Sequence, residues 1–227
     1  EDAPKKNIEG LDIFLKKNKR NDDFIIHLFG DKKTLDKYIS DFNINDKRLE
    51  IIHTEAVVSD EETPLTAIKN SKNTSMWNSI KSQIDGKADI SLSAGNTGVL
   101  LVISRMILKT INEVSKPALA GLWPSKKNMS VVLDLGANIE CDEKNLIDFS
   151  EMGAALYKSI FPELKPCVSL LNIGSEEIKG TETLKKAYSK LKEMNNNNFL
   201  FNGYIEGNEI MNGDTNVIVT DGFTGNI

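Results

Sequence analysis

The sequence predicts an α/β fold, in which a doubly wound, mostly parallel sheet carries helices on both faces. Helical and strand-like segments alternate along all 227 residues, and this alternation is typical of βα units that build a parallel sheet. Four of the apolar runs end in turns that contain both glycine and asparagine. Because no internal repeat or low-complexity linker divides the chain, we expect one α/β domain over residues 1–227.

In the first half of the chain, apolar residues at helical spacing alternate with short apolar runs. Recurrence every three or four residues predicts a helix, and this pattern occurs near residues 8–15, 35–42 and 77–84. Short runs that are mainly apolar predict strands, which we place at residues 24–29, 49–52 and 90–92.

The second half continues the alternation. Helices are predicted at residues 96–108, 144–160 and 184–191. Strands are predicted at residues 118–122, 131–133, 168–173, 199–204 and 216–220. The last strand is followed by one turn and then by the end of the given sequence, where a helix should begin. We therefore expect the natural chain to continue.

Four turns that follow predicted strands share the same residue types, glycine and asparagine. They read SAGNTG (residues 93–98), LGAN (135–138), NIG (172–174) and DGFTGN (221–226). In an open α/β sheet, ligands bind outside the carboxyl ends of the strands. Glycine lets the backbone approach a ligand closely, and N–H groups at a helix start attract anions. The four turns together predict a single crevice with an anionic ligand, most simply phosphate.

The turns supply the candidate phosphate-binding residues. These are Gly95, Asn96, Thr97, Gly98, Asn138, Asn172, Gly174, Asp221, Gly222 and Gly225. SAGNTG matches neither GxxxxGK[ST] nor GxGxxG, which argues against a standard nucleoside triphosphatase or dinucleotide fold. A plain structural reading, in which the glycines only make tight turns between strand and helix, stays open.

Two residues are the candidates for catalysis. Lys179 lies in NIGSEEIKG, between a strand-end turn and the next helix, and is therefore expected to point into the crevice. Asn226 lies in DGFTGN, where its amide can fix an oxygen although it cannot act as a base. Most lysines are solvated surface residues, so position alone distinguishes Lys179.

Other chemistries have less support. A net charge of −5 argues against a general nucleic-acid binder, and the apolar stretch at residues 99–108 is interrupted by Ser104 and Arg105, so no segment is expected to span a bilayer. The two histidines are not placed for a Ser/His/Asp triad, and neither Cys141 nor Cys167 has a histidine nearby in sequence. We expect no metal, no cofactor and a cytoplasmic protein.

Five linked motifs resemble the bacterial phosphate acyltransferases, the acyl-ACP:phosphate transacylases of phospholipid synthesis. They are ADISLSAGNTGVLL, KPALAGLWP, VVLDLGANIECDEKNLIDFSEMG, LLNIGSEEIKG and VIVTDGFTGNI. The resemblance covers nearly the whole chain and implies a fold similar to that of isocitrate and isopropylmalate dehydrogenases. Against this family, the chain is expected to lack the first strand and the C-terminal third. Lys69 and Asn208 stand where the family carries arginines, and lysine does not replace the bidentate guanidinium.

The resemblance also implies a reaction and partners. An acyl group passes from acyl carrier protein to inorganic phosphate, which gives acyl phosphate for phosphatidic acid synthesis. The implied partners are acyl carrier protein, inorganic phosphate, a second copy in a homodimer, and the membrane or the downstream glycerol-3-phosphate acyltransferase. Two alternatives stay open: a dehydrogenase- or phosphate acetyltransferase-like enzyme of the same fold, or a non-catalytic scaffold of lipid synthesis.

Overall fold

The computed structural model describes residues 2–59, 63–194 and 197–227. The chain divides into two compact units, Glu1–Lys109 and Thr110–Ile227. Each unit has its own sheet, so the strands form two sheets and not the one sheet that the sequence predicted. Among the described residues, no helix is both long and apolar enough to cross a membrane.

The first unit combines five helices with two strands among its described residues. They are α1 (Lys5–Lys17), β1 (Ile26–Gly30), α2 (Lys32–Asp41), β2 (Leu49–His53), α3 (Pro64–Asn70), α4 (Ser75–Ile84) and α5 (Thr97–Leu108). Strands β1 and β2 pair in parallel. Helices α4 and α5 pack through Met76, Ile80, Val99 and Ile103, which are all buried. This interface is the main apolar core of the unit.

A buried arginine fastens the loops of the first unit. The Arg48 side chain donates from Nε to Asp46 Oδ1 over 2.8 Å and from Nη1 to the Asn18 carbonyl over 2.7 Å. Its guanidinium also lies 4.7 Å from the ring centre of Phe24. The hydrogen bonds from Arg48 lower the pKa of Asp46 to about 2. The carboxylate therefore stays charged through most of the acidic range.

The second unit contains a five-stranded sheet. Its elements are β3 (Ala120–Pro124), β4 (Met129–Leu133), α6 (Glu143–Ile160), β5 (Cys167–Leu171), α7 (Glu182–Glu193), β6 (Leu200–Ile205), a 3-10 helix at Ile210–Asn212, β7 (Val217–Val219) and α8 (Gly222–Gly225). The strand order is β3-β4-β7-β5-β6. Only the β3–β4 pair is antiparallel. The sheet is therefore mostly parallel, as the sequence predicted.

Alternate residues of the central strands face opposite sides of this sheet. Val131 and Val217 belong to a large buried cluster that includes Phe149 and Tyr157 of α6. Val132 and Ile218 belong to a separate cluster that includes Ile210 of the 3-10 helix. The period of two is the expected consequence of the β pleat. Both faces of β4 and β7 are therefore buried, which explains their continuous apolar sequence.

One predicted strand is wrong. Residues 90–92 form no strand, and nothing in the described part of the chain pairs with them in a sheet. Ile90 is 73% exposed and Leu92 is 85% exposed. A run of three residues without a hydrogen-bonded neighbour gains neither ladder bonds nor burial. SAGNTG consequently follows an irregular segment, whereas the other three turns follow true strands.

Candidate functional site

Three of the four glycine and asparagine turns lie at one edge of the sheet in the second unit. Strands β4, β7 and β5 are neighbours and run in parallel, so their carboxyl ends lie on the same side. We call this side the carboxyl edge. LGAN follows β4, DGFTGN follows β7 and NIG follows β5. The sequence therefore placed these three turns together correctly.

A buried carboxylate organises the LGAN turn. Asp134 is fully buried at the end of β4. Its Oδ1 accepts from the N–H groups of Leu119, at 2.9 Å, and Ala137, at 3.1 Å. Its Oδ2 accepts from the Asn138 N–H at 2.7 Å and from Asn138 Nδ2 at 2.8 Å. Four donors therefore satisfy the charge that burial leaves without water. The sequence showed Asp134 only as one carboxylate among several near the turns.

The DGFTGN turn packs its backbone directly on the LGAN turn. The Gly222 N–H donates to the Asn138 carbonyl over 2.7 Å. A Cβ on Gly222 would lie 2.6 Å from that same oxygen, and one on Gly225 would overlap the carbonyl oxygen of Asp134. Because the Gly222 and Gly225 N–H groups bond to protein carbonyls, these glycines serve close packing. Their predicted part in phosphate binding stays a prediction.

Asn226 lies over Gly136 at this contact. A Cβ on Gly136 would be 3.1 Å from Asn226 Oδ1, and the φ of Gly136 is +113°. This left-handed conformation and the close approach both favour glycine. Asn226 itself is exposed. The carboxamide of one catalytic candidate therefore rests on a backbone that Asp134 holds in place.

The other catalytic candidate lies on the loop of residues 174–180, which we call the Lys179 loop. A Cβ on Gly174 would lie 3.1 Å from Lys179 Cγ, so the lysine stem covers this glycine. Lys179 is exposed. Within the described part of the chain, no carboxylate forms an ion pair with its ammonium group. The charge is consequently available to an anion at the carboxyl edge.

The two acidic neighbours of Lys179 differ in their bonding. Glu177 Oε1 accepts from Tyr188 Oη at 2.8 Å and from Lys192 Nζ at 2.7 Å. These contacts, led by the hydrogen bond from Lys192, lower the pKa of Glu177. Glu177 is thereby tied to α7, and its charge is opposed by Lys192. Glu176 Oε2 lies beside Gly174, where a Cβ would come within 2.7 Å.

Three predicted phosphate ligands use their side chains internally. Both Nδ2 hydrogens of Asn138 have acceptors, the Pro117 carbonyl at 2.7 Å and Asp134 Oδ2 at 2.8 Å. Asp221 accepts from Thr224 through both carboxylate oxygens and caps α8. Asn172 is buried and bonds within the Lys179 loop. These side chains hold the turns in shape instead of presenting donors outward.

SAGNTG lies in the first unit, so its place in the predicted four-turn crevice stays a prediction. Asn96 caps α5, because its Oδ1 accepts from the Val99 N–H at 3.1 Å. Thr97 and Gly98 form the first turn of that helix. A cavity of about 600 Å³ in this unit is lined by residues 91–95 together with His27, Asp31 and Thr34. Gly95 thus borders a cavity of its own unit.

The Cys141 thiol has little support as a nucleophile at the carboxyl edge. The Cys141 thiol lies 3.7 Å from the Asn138 carbonyl, and burial raises its pKa. A protonated thiol is a poor nucleophile. In the described ranges, no group of three or more His, Cys, Asp or Glu residues could hold a metal ion.

The chain has many relatives. A family model described as "Fatty acid synthesis protein" matches residues 1–227. A phosphate acyltransferase of Pelagibacter ubique is 55% identical over 227 residues, which is 100% of this chain and 67% of that protein. Phosphate acyltransferases of Shewanella pealeana and Maricaulis maris are 44% and 42% identical, over 89% and 78% of this chain. Those alignments cover 59% and 50% of the relatives. The chain thus spans between about half and two thirds of the curated relatives' length.

Solved structures support the fold. The EutD phosphotransacetylase from Staphylococcus aureus aligns with a TM-score of 0.65 at 17% identity, covering 96% of this chain and 77% of that one. A branched-chain phosphotransacylase from Enterococcus faecalis aligns with a TM-score of 0.53 at 14% identity, covering 89% and 82%. At these identities the likeness concerns the fold. The family model and the sequence relatives confirm the resemblance drawn from the motifs, and the chain belongs to the bacterial phosphate acyltransferase family.

Proposed function

We propose that the protein is an acyltransferase that moves a fatty acyl group from acyl carrier protein to inorganic phosphate, for phosphatidic acid synthesis. The relatives' shared name, phosphate acyltransferase, supports acyl transfer to phosphate. The observation that carries the proposal is the exposed Lys179, whose stem crosses Gly174 at the edge where Asn226 crosses Gly136. This edge offers a cation and an amide side by side with backbone turns that are held in shape.

The chemistry needs no acylated side chain. A phosphate oxygen attacks the thioester carbonyl carbon and forms the new C–O bond. The C–S bond then breaks, and the carrier leaves as a thiolate that takes up a proton from water. Lys179 holds and orients the phosphate by its charge, and the Asn226 amide donates to the phosphate or to the developing oxyanion. Preorganised donors of this kind lower the barrier because they need no rearrangement during the reaction.

The test is an assay of wild-type protein and Lys179→Ala with acyl carrier protein thioester and phosphate. Acyl phosphate is trapped with hydroxylamine. Removing one such donor typically lowers kcat ~10²–10³-fold, and we expect that loss for Lys179→Ala with an unchanged unfolding temperature. Lys186→Ala, at an exposed lysine of α7, is the matched control and should behave as wild type. Near-normal turnover of Lys179→Ala at saturating phosphate would remove its transition-state role.

The same assay separates the alternatives. The structural likeness to phosphotransacetylases suggests including short acyl-coenzyme A thioesters as a second donor. Turnover with these and not with the carrier protein would favour a phosphate acetyltransferase-like enzyme. Absence of phosphate-dependent thioester cleavage with either donor would favour a scaffold. We also infer the finer fold, similar to that of isocitrate and isopropylmalate dehydrogenases, from the parallel strands and the family. An experimental structure of this protein whose core strands follow an order different from that of these dehydrogenases would contradict the inference.

The remaining partners follow from the family resemblance. We infer a cytoplasmic homodimer that contacts the membrane peripherally or through the glycerol-3-phosphate acyltransferase. Light scattering of the purified protein and extraction of membranes with alkaline carbonate would test these two inferences. A monomer would contradict the first, and resistance to extraction would contradict the second.

A further inference from the structure

Asn172 spans the base of the Lys179 loop with its side chain. The residue directly follows β5 and is only 7% exposed. Its Oδ1 accepts from the Ile173 N–H at 2.9 Å, and its Nδ2 donates to the Lys179 carbonyl at 3.2 Å. The Asn172 carboxamide therefore links the backbone of Ile173 to the backbone of Lys179. We propose that Asn172 is a positioning residue for Lys179 and does not bind phosphate directly. This inference rests on the proposed function.

Gly180 shows how closely the loop is fitted to this carboxamide. Its φ is +90°, and a Cβ would lie 2.5 Å from Asn172 Oδ1. The chain therefore turns sharply directly after Lys179, in a conformation that L side chains rarely adopt. The turn brings the Lys179 carbonyl back toward Asn172. Gly180 and Asn172 therefore act together to fix the position of the Lys179 carbonyl.

The loop has a second attachment on its other side. Glu177 is bonded to Tyr188 and Lys192 of α7, and the Lys179 N–H donates to the Glu176 carbonyl over 3.0 Å. The backbone of Lys179 is therefore held at both its N–H and its carbonyl. A lysine side chain has many rotamers, and its ordering costs entropy. Fixing the backbone and laying the stem on Gly174 reduces the number of positions that the ammonium group can take.

Asparagine suits this position because it accepts and donates at the same time. Aspartate offers no hydrogen to the Lys179 carbonyl, and serine is too short to reach both groups. Asn172→Ser keeps a hydroxyl that can accept from the Ile173 N–H while removing the bond to Lys179. This variant therefore isolates the link to the lysine, without adding a charge that would repel phosphate.

The experiment is a double-mutant cycle that combines Asn172→Ser with Lys179→Ala. Phosphate affinity is measured by calorimetry, and kcat and the KM for phosphate by the hydroxylamine assay. Thermal unfolding of each variant reports the folded state. Asn202→Ser, at an exposed asparagine of β6, is the matched control. Close partners in such cycles couple strongly, so we expect Asn172→Ser alone to weaken phosphate binding about tenfold. In the Lys179→Ala background it should have no further effect.

Two results would overturn the proposal. One is wild-type phosphate affinity in folded Asn172→Ser. The other is a loss that multiplies fully with that of Lys179→Ala, because a purely structural or directly phosphate-binding Asn172 would act independently of the lysine. If Asn172→Ser does not fold, Gly180→Ala probes the same link, and it should likewise lose its effect when Lys179 is alanine. Failure of the proposed function is distinct: wild-type protein would then form no acyl phosphate, whatever the calorimetric cycle shows.

Discussion

The turns SAGNTG and DGFTGN look alike in the sequence and differ in the structure. Both contain a helix cap, since Asn96 accepts from the Val99 N–H at 3.1 Å and Asp221 accepts from the Thr224 N–H at 2.8 Å. SAGNTG follows an unpaired segment and opens the 12-residue helix α5. DGFTGN follows the buried strand β7 and opens the four-residue helix α8.

Their glycines face different neighbours. A Cβ on Gly95 would meet the tip of Met76 at 3.0 Å, and one on Gly98 would meet Pro64 Cγ at 3.2 Å. Gly222 instead faces the backbone of Asn138 in the LGAN turn, and Gly225 faces the carbonyl group of Asp134 directly before that turn. The end of a methionine side chain or a proline ring can shift by a few tenths of an ångström, whereas backbone held by hydrogen bonds in a tight turn cannot. Similar sequences therefore form a turn whose glycines could be replaced at low cost in one unit and a turn whose glycines could not in the other.

The largest difference between the two turns is expected when Gly225→Ala is compared with Gly98→Ala. The new methyl group at residue 225 would overlap the Asp134 carbonyl, and we expect a loss of about 3 kcal/mol or more in the free energy of unfolding. Gly98→Ala lies inside α5, where alanine favours the helix by up to about 1 kcal/mol, so its net change should be small. Denaturant unfolding of both variants provides the measurement. Equal losses would show that the two glycines are equivalent.

The asparagines of the two turns give a second contrast. Asn226→Ala removes an exposed amide at the carboxyl edge, and we expect kcat to fall ~10²–10³-fold with little change in stability. Asn96→Ala removes the cap of α5 and should lower the free energy of unfolding by about 1 kcal/mol. Turnover and thermal unfolding are measured for both variants. An Asn226→Ala protein with normal kcat and reduced stability would reverse the assignment.

The smallest expected effect concerns the Arg48–Asp46 ion pair of the first unit. Because hydrogen bonds from Arg48 lower the pKa of Asp46 from 3.8 to about 2, its charged form stabilises the fold. This stabilisation is full above pH about 4 and is lost as the pH falls through about 2. The difference in unfolding temperature between wild type and Asp46→Asn should therefore be constant at pH 5–7 and shrink toward pH 2. Asp41→Asn, at an exposed position of α2, is the control. A difference that does not change with pH would contradict the ion-pair explanation.

Local pattern was sufficient for most elements. The helical stripe at residues 144–160 and the apolar run at residues 131–133 correspond to α6 and β4, because each pattern fits only one period. The strand predicted at residues 90–92 did not form, since two apolar residues separated by a serine become a strand only beside a partner. Helix α3 and the short helix α8 were not predicted, because a single turn or two carries little periodic signal.

The sequence by itself determined the family, the order of the elements and the three turns that meet at the carboxyl edge. These follow from the order of the residues and from the parallel direction of successive βα units. Only the tertiary structure decided what each polar side chain does. Asn138 and Asn172 were predicted from the sequence to donate outward, yet their amides bond to carbonyls 21 and 7 residues away along the chain. Asp134 organises the LGAN turn because folding brings four hydrogen-bond donors to its carboxylate. A hydrogen-bond partner is set by proximity in space, which residue spacing within a turn does not specify.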